Sequence, residues 1–209
     1  MRHVQPSDLV ESNRLVPDEF VHVYRIDRCT VAKLCTQQRL SEAQVMRLVR
    51  ENTSIPISKV HSASIDTAMS RGVILMDYVE AEVLGDVWDK LTSEQQAKIL
   101  RQLRSYMKEL HAIEGSFIGS VDGTPCDDPM FGPYKSESEF NDGLIRAMKL
   151  SQENSWVDHV TRFVKAKPKH KIVLTHSDFS PRNILVQGIR DGAVDKILEP
   201  YHLEMLSCA

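Results

Sequence analysis

The chain has 209 residues, 42% hydrophobic and 26% charged, an ordinary globular composition with room for one domain or two small lobes. A formal net charge of -3 supplies no basic face for nucleic acid, and no apolar run approaches the roughly 18 residues that cross a bilayer. Met1 to Asp8 lacks the apolar centre of a secretory signal, so a cytoplasmic location is expected, with neither nucleic acid nor membrane as partner.

Residues 1–20 are polar, carry Pro6 and Pro17, and read as an N-terminal arm. Val21 to Ile26 alternates apolar and polar side chains, the period of a half-buried strand. Asp27-Arg28 can turn the chain into a second β-rich run, Cys29 to Leu34, which predicts a hairpin. Ser41 is placed to cap a helix reaching about Glu51, whose Ala43, Val45, Met46, Leu48 and Val49 give it a broad apolar side. Ile55 to Val60 is extended, because Pro56 cannot continue a helix and turns its neighbour away from αR. Val73 to Val79 is a continuous apolar run, the pattern of a strand covered on both faces.

Helices follow. Thr92-Ser93-Glu94-Gln95 has the form of a capping box, and Ile99, Leu103, Met107 and Leu110 share one face of a helix ending near His111. Glycines and prolines from Gly115 to Pro133 predict a long loop, before helices from about Ser136 to Leu150 and Trp156 to Val164. Lys171 to Thr175 and Asn183 to Val186 are expected to be short strands on either side of a polar loop. Four dispersed cysteines (Cys29, Cys35, Cys126, Cys208) form no CxxC pair. They point to a reducing compartment, with Cys29 and Cys35 as packing residues. Eight histidines without zinc spacing argue against a structural metal.

The polar loop, His176-Ser177-Asp178-Phe179-Ser180-Pro181-Arg182-Asn183, is the part of the sequence that carries chemistry. Phosphoryl transfer asks a protein for positioning, divalent cations and an acceptor for the attacking hydroxyl's proton. Asp178 is suited to accept that proton, and Asn183, five residues on, to offer its amide oxygen to Mg²⁺. His176 is expected to stiffen the loop. The bland alternative is a surface turn using Asp and Asn in their commonest role.

On this loop, and on Glu51 to Val60, Ile74 to Val79 and Phe117 to Gly123, the chain resembles the aminoglycoside phosphotransferase / choline-kinase-like family, in particular its fungal members, over roughly Val21 to Leu198. The resemblance implies an α+β, two-lobed protein-kinase-like fold. Residues 21–80 would form a small β-rich N-lobe ending in a hinge, and 81–209 a mainly helical, incomplete C-lobe with the catalytic loop. It implies ATP-dependent phosphotransfer to a small-molecule hydroxyl, with ATP and Mg²⁺ as cofactors. Lys33 would hold the α/β-phosphates and Glu42 would fix its direction. Met76, Asp77, Tyr78 and Val79 would form the hinge that meets adenine. Asp178 would be the catalytic base, supported by His176, with Asn183 and Glu199 as the metal ligands.

Two departures bear on activity. No glycine occurs before Gly72, so a glycine-rich phosphate-covering loop is missing and the first strand is expected to be absent or altered around Pro17 to Phe20. Glu199 stands where the family has Asp, and a shortened tail would leave apolar faces of the segments at 92–111 and 136–150 uncovered. The alternatives are therefore a catalytically inactive kinase-like module that binds nucleotide or protein, or an incomplete gene product. The acidic residues Asp127, Asp128, Glu137, Glu139 and Asp142 would favour a cationic acceptor, or would simply be solvated.

Overall fold

The computed structural model describes residues 4–15, 22–124, 132–151, 154–166, 170–176, 178–188 and 196–198. The chain divides into two compact units, one formed by Met1–Tyr106 with Asp178–Leu203, the other by Met107–Ser177 with Glu204–Ala209.

The first unit is built on an antiparallel sheet of β1 (His22–Arg25), β2 (Thr30–Cys35), β3 (Val60–Asp66) and β4 (Arg71–Asp77), in the order β1-β2-β4-β3. The expected hairpin is present, with Val23 opposite Lys33 and Arg25 opposite Val31. β4 is central and buried from Gly72 to Met76, which is why it reads as an unbroken apolar run. Alternation along the strands sorts their side chains onto two faces. Ala32, Val73 and Leu75 cluster with Ile26 on one face, where Val4, Leu34 and Met69 pack over them. Val31, Lys33 and Cys35 lie on the other, and their cross-strand partners Met76 and Ile74 share it. A helix covers that second face: α1 (Glu42–Asn52), which buries Glu42, Ala43, Val45, Met46 and Val49.

Several details differ from the sequence reading. β3 was not expected, because Val60-His61-Ser62-Ala63-Ser64-Ile65-Asp66 is half exposed at the sheet edge and carries too few apolar residues to show a strand period. Ser41 does not cap α1 with its side chain. It closes a preceding 3-10 turn, Gln38–Ser41, and its hydroxyl donates to Gln38 O at 3.2 Å. Cys35 is buried as expected, but Cys29 is exposed in the hairpin turn. Arg14 forms an antiparallel bridge with Tyr24, and Leu15 N–H donates to Val23 O at 2.9 Å. The outer edge of β1 is therefore paired at Arg14 and Leu15.

After β4 the same unit continues through β5 (Glu82–Val83), α2 (Leu84–Val87) and the start of α3 (Ser93–His111). The capping box is formed reciprocally, Thr92 N–H donating to Gln95 Oε1 at 2.8 Å and Gln95 N–H to Thr92 Oγ1 at 3.3 Å. A second antiparallel sheet joins β5, β6 (Leu185–Gln187) and β7 (Lys196–Leu198), in the order β5-β6-β7.

In the other unit, α4 (Glu137–Ser151) and α5 (Ser155–Lys165) pack together, and Asn154 Oδ1 caps α5 by accepting from the N–H groups of Trp156 and Val157. Tyr134 lies edge-on to Phe140, with ring centroids 5.8 Å apart, and its hydroxyl fills the notch left by Gly143. Lys171 to Thr175 is not a strand. Of these residues only Val173 bridges, to Glu114, through Gly115 N–H donating to Ile172 O and Leu174 N–H donating to Ile113 O, each at 2.9 Å. Leu100, Leu150, Trp156 and Phe163 are exposed apolar side chains. No helix among the described residues is long and apolar enough to cross a membrane.

Candidate active site

Lys33 and Glu42 meet on the helix-covered face of the sheet. Strand alternation turns Lys33 inward, and the first turn of α1 brings Glu42 over it, so that Lys33 Nζ lies 2.6 Å from both Glu42 carboxylate oxygens. Both residues are buried, at 2% and 4% exposure, and a charge so placed persists only when paired. Burial pushes the Glu42 carboxyl above the ordinary carboxylate value, while the Lys33 ammonium and its hydrogen bonds pull it back. Burial likewise pushes the Cys35 thiol up to about 11, with the negative charge of Glu42 adding to the effect.

The expected hinge begins at the end of β4. Met76 is fully buried core. Asp77 and Tyr78 already use their backbone donors: Asp77 N–H reaches Lys59 O at 3.0 Å, and Tyr78 N–H reaches Cys29 O at 2.7 Å. Asp77 Oδ1 also lies 2.8 Å from His61 Nε2, and the Arg25 guanidinium stacks 4.0 Å from the centre of the Tyr78 ring. Val79, the next residue, belongs to no strand, and its amide has no hydrogen-bond partner among the described residues.

The loop that carries Asp178 and Asn183 belongs to the same unit as Lys33 and Glu42. Pro181–Asn183 forms a 3-10 turn, and Ser180 caps it by accepting from Arg182 N–H. This turn folds Asn183 back onto Asp178: Asn183 Nδ2 donates to Asp178 O at 3.0 Å and to Asp178 Oδ2 at 2.8 Å. With the amide nitrogen committed, the Asn183 carboxamide oxygen is the atom left for a cation. A neutral oxygen beside a carboxylate is the donor type Mg²⁺ accepts. Among the described residues no three His, Cys, Asp or Glu gather to hold a metal by themselves. His176 lies in the other unit and is 5% exposed. Glu199 lies outside the described residues, as do Asp127 and Asp128.

The remaining acidic residues of the expected cation-favouring group are engaged locally. Glu137 holds His170 through both carboxylate oxygens, Glu139 Oε2 accepts from Lys135 N–H at 2.8 Å, and Asp142 lies 3.8 Å from Lys165. Each of the three thus has a partner within its own unit. Sequence reasoning missed Cys29, whose carbonyl holds the Tyr78 amide, and Gln187, which holds the backbone at Glu80. Both act across turns or strands, and no local signal marks them.

An antiparallel sheet whose inward lysine is fixed by a helix glutamate, with an Asp…Asn loop leading into a second small sheet, defines a kinase-like fold. The chain belongs to the phosphotransferase enzyme family (APH), whose family model matches residues 23–195. Solved aminoglycoside phosphotransferases share the fold. The GDP complex of wild-type aminoglycoside 2'-phosphotransferase-IIIa is 14% identical, with a TM-score of 0.65, covering 94% of this chain and 67% of that one. The streptomycin-ATP-APH(2")-IIa ternary complex is 15% identical, with a TM-score of 0.56, covering 95% and 72%. ADP-bound APH(2'')-Ib is 16% identical, with a TM-score of 0.55, covering 89% and 64%. No curated relative matches the chain.

Proposed function

We propose that this protein transfers the γ-phosphate of ATP to a hydroxyl of a small molecule, with Asp178 as the proton acceptor. The observation that carries the reading is the Asn183 clasp on Asp178, which fixes the carboxylate and engages the amide nitrogen rather than the amide oxygen. Bound MgATP supplies the transferable phosphoryl group. The chain's own residues do the rest. Lys33, held rigid by Glu42, neutralises phosphate charge, and the free Val79 amide donates to the purine edge. Asn183 offers its carboxamide oxygen to Mg²⁺, with Glu199 as the further ligand. His176, buried, stiffens the approach to the loop, and Asp178 takes the hydroxyl proton as the new P–O bond forms and the bond from the γ-phosphorus to the departing ADP breaks. Support comes from family membership and from the nucleotides named in the related structures, GDP, ATP and ADP. Their aminoglycoside ligands belong to those proteins.

The test is ADP release with Mg²⁺ and a panel of small alcohols, amino alcohols and sugars. Asp178→Asn should lower turnover by on the order of 10²-fold or more, the scale for losing a positioned general base, while nucleotide affinity changes little. Unchanged turnover would place the chemistry elsewhere. A second reading, a module that binds nucleotide without turning it over, draws on the glycine-free segment 16–21 that precedes β1. Saturable MgATP binding with no ADP release by wild type would favour that reading.

A further inference from the structure

We infer that Gln187 is a positioning residue for the nucleotide base, an inference that rests on the nucleotide seat proposed above. Gln187 ends β6, four residues after Asn183, and its Nε2 donates to the backbone carbonyl of Glu80 at 2.7 Å. The two residues are 107 positions apart in sequence, and the bond continues a ladder that backbone groups have already begun. Glu82 pairs with Val186 and Val83 with Leu185, so the side chain of Gln187 reaches the linker just beyond the last backbone pair of β5 and β6.

The consequence falls on the short linker between β4 and β5. At one end the Tyr78 amide is fixed to Cys29 O at 2.7 Å, and Arg25 is stacked on the Tyr78 ring. At the other end the Glu80 carbonyl is fixed by Gln187. Between the two anchors stands Val79, whose peptide groups have no hydrogen-bond partner among the described residues. A backbone donor held at both flanks is pre-organised for a ligand, since less ordering entropy remains to be lost on binding. The same anchor ties the linker to the strand that follows the Asp178–Asn183 loop. The loop itself has separate support, because Leu84 N–H donates to Ile184 O at 2.8 Å. Loosening Gln187 should therefore affect nucleotide affinity and leave the loop in place.

Gln187→Glu keeps the length of the side chain, removes the donor and sets a carboxylate against the Glu80 carbonyl. Gln187→Lys keeps a donor on a long stem. Two measurements are made on the full chain: calorimetric titration with MgATP and with MgGTP, and amide hydrogen exchange of the 78–83 peptide without nucleotide. Expected for Gln187→Glu are faster linker exchange and MgATP affinity weaker by roughly two- to tenfold, the range for one net hydrogen bond. The ATP-to-GTP preference should narrow, and Gln187→Lys should stay near wild type. Unchanged exchange, or unchanged affinity and preference in a wild type that binds nucleotide, would overturn the role of Gln187. Faster exchange in a protein whose wild type binds no nucleotide would instead overturn the nucleotide seat itself, leaving Gln187 only a structural clamp.

Discussion

Replacing Lys33 by Met should cost a large share of the stability of the sheet, and the loss should depend on pH. At 2.6 Å and an effective dielectric of about 20, the attraction between Lys33 and Glu42 is about 6 kcal/mol. Desolvating two ions that are 2% and 4% exposed offsets most of that gain, so the intact pair adds little net stability. Removing one partner is different, because it leaves a buried charge without compensation and costs about 3–5 kcal/mol, a large share of a domain's ~5–15 kcal/mol. The carboxyl of Glu42, already pushed up by burial, rises further once the ammonium is gone. A carboxyl whose folded pKa lies above its unfolded value binds more protons in the folded state, so stability falls as pH rises from the unfolded value through the folded one. Lys33→Met should therefore approach wild type in acid and lose most near neutrality. Lys33→Met with Glu42→Leu should recover stability at all pH values yet bind no MgATP. Urea unfolding followed by circular dichroism, in acid and at neutral pH, reads all of this. A single variant within about 1 kcal/mol of wild type at neutral pH, or a double variant no better than the single, would refute the reasoning.

Three smaller predictions follow from local geometry. With its thiol pushed up to about 11, Cys35 should resist iodoacetamide in the native protein while exposed Cys29 reacts. Peptide mapping by mass spectrometry checks this, and Cys35 should label only after denaturation. Gly143→Ala would normally gain about 1 kcal/mol of helix propensity. Here the new Cβ would stand 2.2 Å from the Tyr134 hydroxyl, so thermal melts should show a loss of about 1–3 kcal/mol. Asn154→Ala removes the cap on α5 and should cost about 1 kcal/mol, which a melt of that variant measures, while Asn154→Asp should retain the cap.

Much of the fold was legible because its signals are local. The β1–β2 hairpin, the capping box at Thr92, the end of α3 at His111 and the two later helices each follow from a turn pair, a cap or a helical period. The Asp178…Asn183 spacing was legible too, and the structure closes it into a hydrogen-bonded loop. What escaped depends on burial or on distant partners. β3 was hidden by its half-exposed, polar residues, and Lys171 to Thr175 read as a strand because composition does not reveal that only Val173 finds a bridge. Ser41 looked like a cap, but the 3-10 turn before α1 takes its hydroxyl. The hinge was placed by resemblance. That the Asp77 and Tyr78 amides are taken follows from Lys59 and Cys29, residues no local pattern connects to them.

In the proposed reaction Asp178 directs a phosphoryl group onto an organic hydroxyl. The most direct measurement follows the γ-phosphate itself, using ATP labelled there, Mg²⁺ and the acceptor panel, with products separated by chromatography. Label is expected in a phosphorylated small molecule, dependent on Mg²⁺ and reduced on the order of 10²-fold or more in Asp178→Asn. Label that stays in ATP, or that reaches product equally well in Asp178→Asn, would contradict it.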